Sequence, residues 1–187
     1  MIIYIHGFAS SGYGAKAQKF VEYFEDEIIT PSLSNIPNLA INTLEQIIEA
    51  FLRKGEKVSL IGSSLGGFYS IYLANKYDLK AVLINPAVNP MDTLNRYEEV
   101  EMVQNYYDSS SFEFTHEHIS SLENYDVYEL KNPNNFMTLL QAEDEVLDYE
   151  EAVEKLEETN LEIEEGGSHS FEGIERYFRK IDSFFNN

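Results

Sequence analysis

The sequence contains no cysteine. Disulfide and thiolate chemistry are therefore excluded, and the redox compartment is left open. Basic residues are scarce: 13 Lys and Arg face 33 Asp and Glu, a formal net charge of −20. Affinity for nucleic acid comes largely from Lys and Arg meeting phosphates, so no nucleic-acid partner is expected. The same imbalance works against steering of strongly anionic substrates. Much of the acidity falls between Glu143 and Glu165, which reads as a solvated helix and its flanks. No apolar run approaches the length of a membrane span, so no membrane partner is expected. Strand-like sequence starts at Ile2 and leaves no room for a signal peptide ahead of it. A cytoplasmic location is expected on that ground.

At 187 residues the chain is expected to form one domain, 1–187, with a sizeable core. Hydrophobic periodicity predicts six strands, at residues 2–5, 28–29, 58–61, 81–84, 136–140 and 161–163. Helices are expected between them. Residues 14–26 carry Phe20, Val21 and Phe24 on one face. Ile41, Leu44, Ile47, Ile48, Phe51 and Leu52 recur at helical spacing until Gly55 ends the helix. A last helix is expected to place Phe171, Ile174, Phe178, Ile181 and Phe185 on one stripe. Strands alternating with helices at this spacing give an α/β fold, a mostly parallel six-stranded sheet with helices on both faces.

Residues 88–134 break the rhythm and show no clear strand. They hold Asn89-Pro90, Asn132-Pro133, a Ser109-Ser110-Ser111 run and aromatics at Tyr97, Tyr106, Tyr107, Phe112 and Phe114. The stretch reads as a helical lid or cap inserted over the active edge, or as connecting helices whose aromatics fill the core.

Chemistry concentrates in Gly62-Ser63-Ser64-Leu65-Gly66, between a predicted strand and a helical stretch. Gly-x-Ser-x-Gly in that context marks a nucleophile elbow. The register selects Ser64, because Ser63 as nucleophile would put Ile61 and Leu65 at the glycine positions. A serine hydroxyl needs a base and donors for the oxyanion that follows. Four histidines are available. His169, in Gly166-Gly167-Ser168-His169-Ser170, lies on a loop between the last strand and the last helix and can reach across to Ser64. His6 is expected to brace the loop after the first strand. His116 and His118 are two apart, which on a helix puts them on different faces, wrong for a shared metal. No metal site is expected.

The third member must be a carboxylate that fixes the imidazole tautomer. Asp144 follows the fifth strand, with Glu143, Glu145 and Asp148 as rivals that chemistry alone does not separate. The order Ser64, Asp144, His169 is that of α/β-hydrolases. The backbone N–H groups of Leu65 and Phe8 are the expected oxyanion donors. In a parallel sheet these residues, each just after a strand, share one edge.

Five segments then carry a resemblance: residues 4–8 (Tyr-Ile-His-Gly-Phe), 61–67 (Ile-Gly-Ser-Ser-Leu-Gly-Gly), 85–88 (Asn-Pro-Ala-Val), 144–149 (Asp-Glu-Val-Leu-Asp-Tyr) and 165–171 (Glu-Gly-Gly-Ser-His-Ser-Phe). Together they resemble the YqiA-type (UPF0227-like) esterases of the α/β-hydrolase superfamily, over essentially the whole chain. The resemblance implies a compact α/β-hydrolase fold without the early antiparallel strands. It implies a triad of Ser64, Asp144 and His169, choosing Asp144 where spacing left it open. It further implies carboxylesterase activity on short acyl esters, with no metal or organic cofactor. Ser168 and Ser170 stand where asparagine and alanine are expected, and Ala142-Glu143 where threonine-glycine is usual.

The function expected is a serine carboxylesterase working through an acyl-enzyme, with a small-molecule acyl ester as partner. An acyl thioesterase uses the same machinery, and a hydrolase-fold binding protein would use none of it. The sequence sets neither the acyl chain length nor the oligomeric state.

Overall fold

The computed structural model describes residues 1–187. The first half of the chain runs β1 (Ile2–Ile5), α1 (Ala15–Phe24), β2 (Ile28–Ile29), α2 (Pro37–Arg53), β3 (Ser59–Ser63), α3 (Leu65–Tyr77) and β4 (Lys80–Ile84). Then come α4 (Pro90–Leu94), β5 (Val103–Gln104), β6 (Ser111–Phe112) and α5 (His116–Ser121). The chain closes with β7 (Phe136–Gln141), α6 (Tyr149–Leu156), β8 (Asn160–Glu164) and α7 (Phe178–Asn186). Six strands form one sheet in the order β2-β1-β3-β4-β7-β8, every neighbouring pair parallel. This is the α/β architecture that the periodicity predicts. No helix is long and apolar enough to cross a membrane.

The central strands are Ile, Val and Leu runs because both faces of a parallel sheet are covered. Successive side chains alternate between the faces. Ile3, Ile5, Leu60 and Leu83 enter one core with Ile41 and Leu44 of α2 and Phe68 and Ile71 of α3. Tyr4, Ile61, Val82 and Leu139 enter the other, against Phe20 and Phe24 of α1 and Phe178, Ile181 and Phe185 of α7. Truncating a fully buried ring such as Phe20 to Ala costs about 3–5 kcal/mol.

Strand order reverses at β1. The chain steps outward from β1 to β2, then returns to place β3 on the other side of β1, and growth continues toward β8. In such sheets ligands bind outside the carboxyl ends of the strands at this switch. The loops after β1 and β3, carrying Gly7-Phe8 and Ser64, flank it.

Two expectations are corrected. Phe171 does not share the last helix. It sits in a turn at φ 59°, and Gly173 at φ 68° interrupts the chain before a short 3-10 turn leads into α7. Phe171 is still buried with Ile174, Phe178 and Ile181, so its core role stands without the helix. The stretch 88–134 is also not wholly helical, since β5 and β6 form a small antiparallel hairpin. Side chains in its turn compete with helix formation. Asn105 Oδ1 accepts from the Tyr107 N–H at 2.8 Å, and Asp108 Oδ1 from the Ser110 N–H at 2.9 Å. The hairpin leans on the loop after β1: Tyr106 N–H donates to Ala9 O at 2.8 Å, and Asn105 Nδ2 to Ser10 O at 3.1 Å. Phe8 packs there against Tyr97, Phe112 and Phe114, with ring centroids 5.1, 5.7 and 4.7 Å away.

Candidate active site

Ser64 sits between β3 and α3 at φ 56°, ψ −122°. A side chain held at positive φ is strained by about 1–3 kcal/mol and persists only where its surroundings fix it. Here the Ser64 N–H donates to Ile84 O at 3.1 Å, and its carbonyl accepts from Gly67 N at 2.8 Å and Ala87 N at 3.0 Å. The flanking glycines are needed for closeness. A Cβ on Gly66 would lie 2.0 Å from Ile5 O, and one on Gly62 2.3 Å from Gly66 O. Even alanine at either position would force β1, β3 and α3 apart.

The structure brings His169 and Asp144 to this serine. His169 Nε2 lies 2.9 Å from Ser64 Oγ, and His169 Nδ1 lies 2.7 Å from Asp144 Oδ2. With Nδ1–H donating to the carboxylate, Nε2 is the free lone pair that faces the hydroxyl. The Asp144 side chain is only 2% exposed. Burial alone would raise its pKa, but hydrogen bonds from His169 and the Leu147 and Val146 amides hold the carboxyl below its ordinary value. Both amides donate to Oδ1 at 2.8 Å. Of the rivals, Glu145 accepts the His169 backbone N–H at 2.9 Å, Asp148 accepts Glu150 N–H at 2.9 Å as the cap of α6, and Glu143 is exposed.

A buried amide pair carries the loop that holds His169. Asn85, at φ 39° just past β4, donates from Nδ2 to Ser168 O at 2.9 Å and accepts Gln141 N–H at 2.9 Å. Gln141, the last residue of β7, accepts Ser168 N–H at 3.1 Å and Glu172 N–H at 2.8 Å through Oε1. In the sequence Asn85 stands out only as the end of the fourth apolar run and within the 85–88 segment of the resemblance, and Gln141 does not stand out. The signal was a polar residue ending an apolar run at the active edge.

The Phe8 and Leu65 N–H groups find no acceptor within the protein. Both residues, with Ser64 and His169, line a cavity of about 490 Å³. His6 is spent on its own loop: Nδ1 bonds to Gly7 O at 2.8 Å and Nε2 accepts Leu33 N–H at 2.9 Å. His116 pairs with Glu98 at 3.0 Å, and His118 Nδ1 accepts Thr115 N–H at 3.2 Å in a capping box, so the two rings serve separate partners.

Lys16 was also missed. It lines the cavity, and its Nζ donates to Ser63 Oγ at 2.7 Å. Burial pushes its ammonium down to about 8, against the field of Asp144, which holds it up. The stem keeps partial exposure while the ammonium is enclosed. Its signal lay in the spacing, because Lys16, Phe20 and Phe24 form one i, i+4, i+8 row on a face that is otherwise apolar.

The sequence model of the uncharacterised protein family UPF0227 matches residues 1–186. A UPF0227 protein of Pectobacterium atrosepticum is 25% identical over 189 residues, covering 98% of this chain and 98% of that relative. Est1E from Butyrivibrio proteoclasticus, solved with ferulic acid bound, superposes with a TM-score of 0.73 at 12% identity, over 99% of this chain and 87% of that one. Alpha/beta hydrolase domain-containing protein 10 from mouse does so with a TM-score of 0.68 at 19% identity, over 99% and 89%. At these identities the superpositions establish the α/β-hydrolase fold. Matched by one family's model from its first residue to its last helix, and by a relative aligned over 98% of both chains, the chain belongs to the UPF0227 family.

Proposed function

We propose that this protein is a serine carboxylesterase that hydrolyses short-chain acyl esters through an acyl-enzyme. The observation that carries the reading is the unbroken relay from Ser64 Oγ through His169 to Asp144, at 2.9 and 2.7 Å, opening on a cavity of ligand size. In this mechanism Ser64 Oγ attacks the ester carbonyl while His169 Nε2 takes its proton. Asp144 stabilises the imidazolium, and the Phe8 and Leu65 amides receive the oxyanion. Collapse breaks the bond to the alcohol, which leaves with the proton from Nε2. Water then enters, His169 removes its proton, and the acid is released from Ser64 as the serine proton returns. The mouse structural neighbour, named for a hydrolase domain, agrees in class.

A fluorophosphonate probe should label Ser64 in the purified protein and leave Ser64→Ala unlabelled, read by intact mass. A graded series of p-nitrophenyl esters, run beside acyl thioesters, should show turnover greatest for short acyl esters. No labelling and no turnover would leave the hydrolase-fold binder as the better account. Faster turnover of thioesters would move the reading to the thioesterase.

A further inference from the structure

The cavity carries a charge opposite to that of the protein. The chain as a whole bears −20, yet the cavity lining holds Lys16 and Arg96 against one carboxylate, Glu145. Arg96 is stacked over the Tyr97 ring at 5.2 Å. Lys16 is the one lysine that lines the cavity. Lys19, Lys76, Lys155 and Lys180 each pair with a carboxylate, and Lys57 and Lys80 donate to the carbonyls of Phe185 and Phe184 in α7. No ion pair of the chain includes Lys16. Its one hydrogen-bond partner is the neutral hydroxyl of Ser63, at 2.7 Å.

An enclosed ammonium with only a hydroxyl for company is costly, and a nearby anion removes the cost. The protein supplies none in contact, which leaves the place for an anion carried by the ligand. Position narrows its chemistry. Ser63 directly precedes Ser64, and Lys16, Ser63 and Ser64 line the same cavity. A ligand whose anion meets the Lys16 ammonium therefore has its ester carbonyl at Ser64 only if few bonds separate the two. We propose that the cavity selects esters bearing a carboxylate on a short acyl chain, that is half-esters of short dicarboxylic acids, with Lys16 as the residue that binds the free carboxylate. This deepens the esterase reading and rests on it. Lys16 remains largely cationic at neutral pH even with its pKa pushed down to about 8, and a bound carboxylate would favour the charged form further. Inside the cavity the lining charges, Lys16 and Arg96 against Glu145, set a local balance opposite in sign to that of the surface.

The test compares monomethyl glutarate with dimethyl glutarate, which offers the same methyl ester without the free carboxylate. Hydrolysis of both is followed by pH-stat at pH 7 with the full chain. A charge-assisted hydrogen bond predicts kcat/KM at least about tenfold higher for the monoester. Lys16→Met should bring the ratio to about one by removing that bond, and Lys16→Arg should keep a preference for the monoester. Equal turnover, or preference for the diester, in the unaltered protein overturns the proposal whether or not the variants fold. A ratio unchanged in Lys16→Met overturns it as well. If neither ester is turned over while p-nitrophenyl esters are, the proposal fails; if those are not turned over either, the esterase reading is what fails, and titration calorimetry of Ser64→Ala decides the carboxylate site on its own. Binding of monomethyl glutarate that is lost on adding Lys16→Met supports the site, and absence of binding removes it.

Discussion

His6 and His169 stand at the same edge of the sheet, one after β1 and one after β8, yet their rings are used differently. His6 spends both nitrogens on backbone, Nδ1 on Gly7 O and Nε2 on Leu33 N–H. An imidazolium there would turn Nε2 into a donor facing another donor. His169 instead spans a carboxylate and a hydroxyl, with Nδ1 on Asp144 and Nε2 on Ser64. Its orientation is held from outside the ring, by Asn85 and Gln141 under its loop and by Glu145 on its amide. One ring is a strut and the other is kept free to move a proton. Distance from the sheet does not distinguish them. What distinguishes them is whether backbone groups have already claimed the lone pair.

The strongest way to break the contrast is to give His169 the wrong tautomer. Asp144→Asn can donate to Nδ1 and thereby place the proton on Nε2, facing Ser64. Ester turnover should fall by about 10⁴-fold in kcat with the fold intact, read by p-nitrophenyl butyrate hydrolysis beside circular dichroism. Next comes the support beneath the loop. Asn85→Ala frees the carbonyls of Ser168 and His169 and the Gln141 N–H together. Unpaired buried groups cost about 1–3 kcal/mol, which urea unfolding should register. Loss of ring orientation should lower kcat roughly 10- to 100-fold, with KM far less affected.

The smallest effect concerns His6 and is one of pH. Burial depresses its pKa below the ordinary 6.5, an effect larger than the Gly7 hydrogen bond that raises it. Below 6.5 the unfolded chain takes up a proton that the folded ring refuses. The stability contribution is therefore full above 6.5 and is lost as pH falls from there toward the depressed folded value. The slope in that window approaches about 1.4 kcal/mol per pH unit. His6→Gln should be less stable at pH 7.5 and lose less on going to pH 5.5 than the unaltered protein does, by urea unfolding at both pH values. Parallel losses in the two proteins would show that His6 titrates no differently folded than unfolded.

Much of this was readable in the chain. All six sheet strands begin or end within two residues of their periodic runs, because buried parallel strands are apolar on both faces and so stand out. The elbow was legible because glycine at 62 and 66 answers a steric demand that no other residue meets. The carboxylate was not separable by spacing. Glu143, Asp144 and Glu145 are adjacent, and the fold distinguishes Asp144 by turning the Val146 and Leu147 amides back onto its Oδ1 while its Oδ2 meets His169. Phe171 matched the helical stripe because a turn at Gly173 can deliver a ring to the same core that a helix would. The hairpin at 103–112 went unread because two-residue strands leave no period to detect. Lys16 does not stand out by charge alone, and only its row with Phe20 and Phe24 points inward.

The mooring of Tyr106 and Asn105 on Ala9 and Ser10 has a mechanical consequence. Tyr106 forms part of the cavity wall, and Ala9, which its N–H grips, directly follows Phe8, another lining residue, whose amide has no acceptor in the protein. A ligand pressing on that wall strains two hydrogen bonds anchored next to the amide. Occupancy of the mouth and alignment of a carbonyl beneath it are thereby geared to each other.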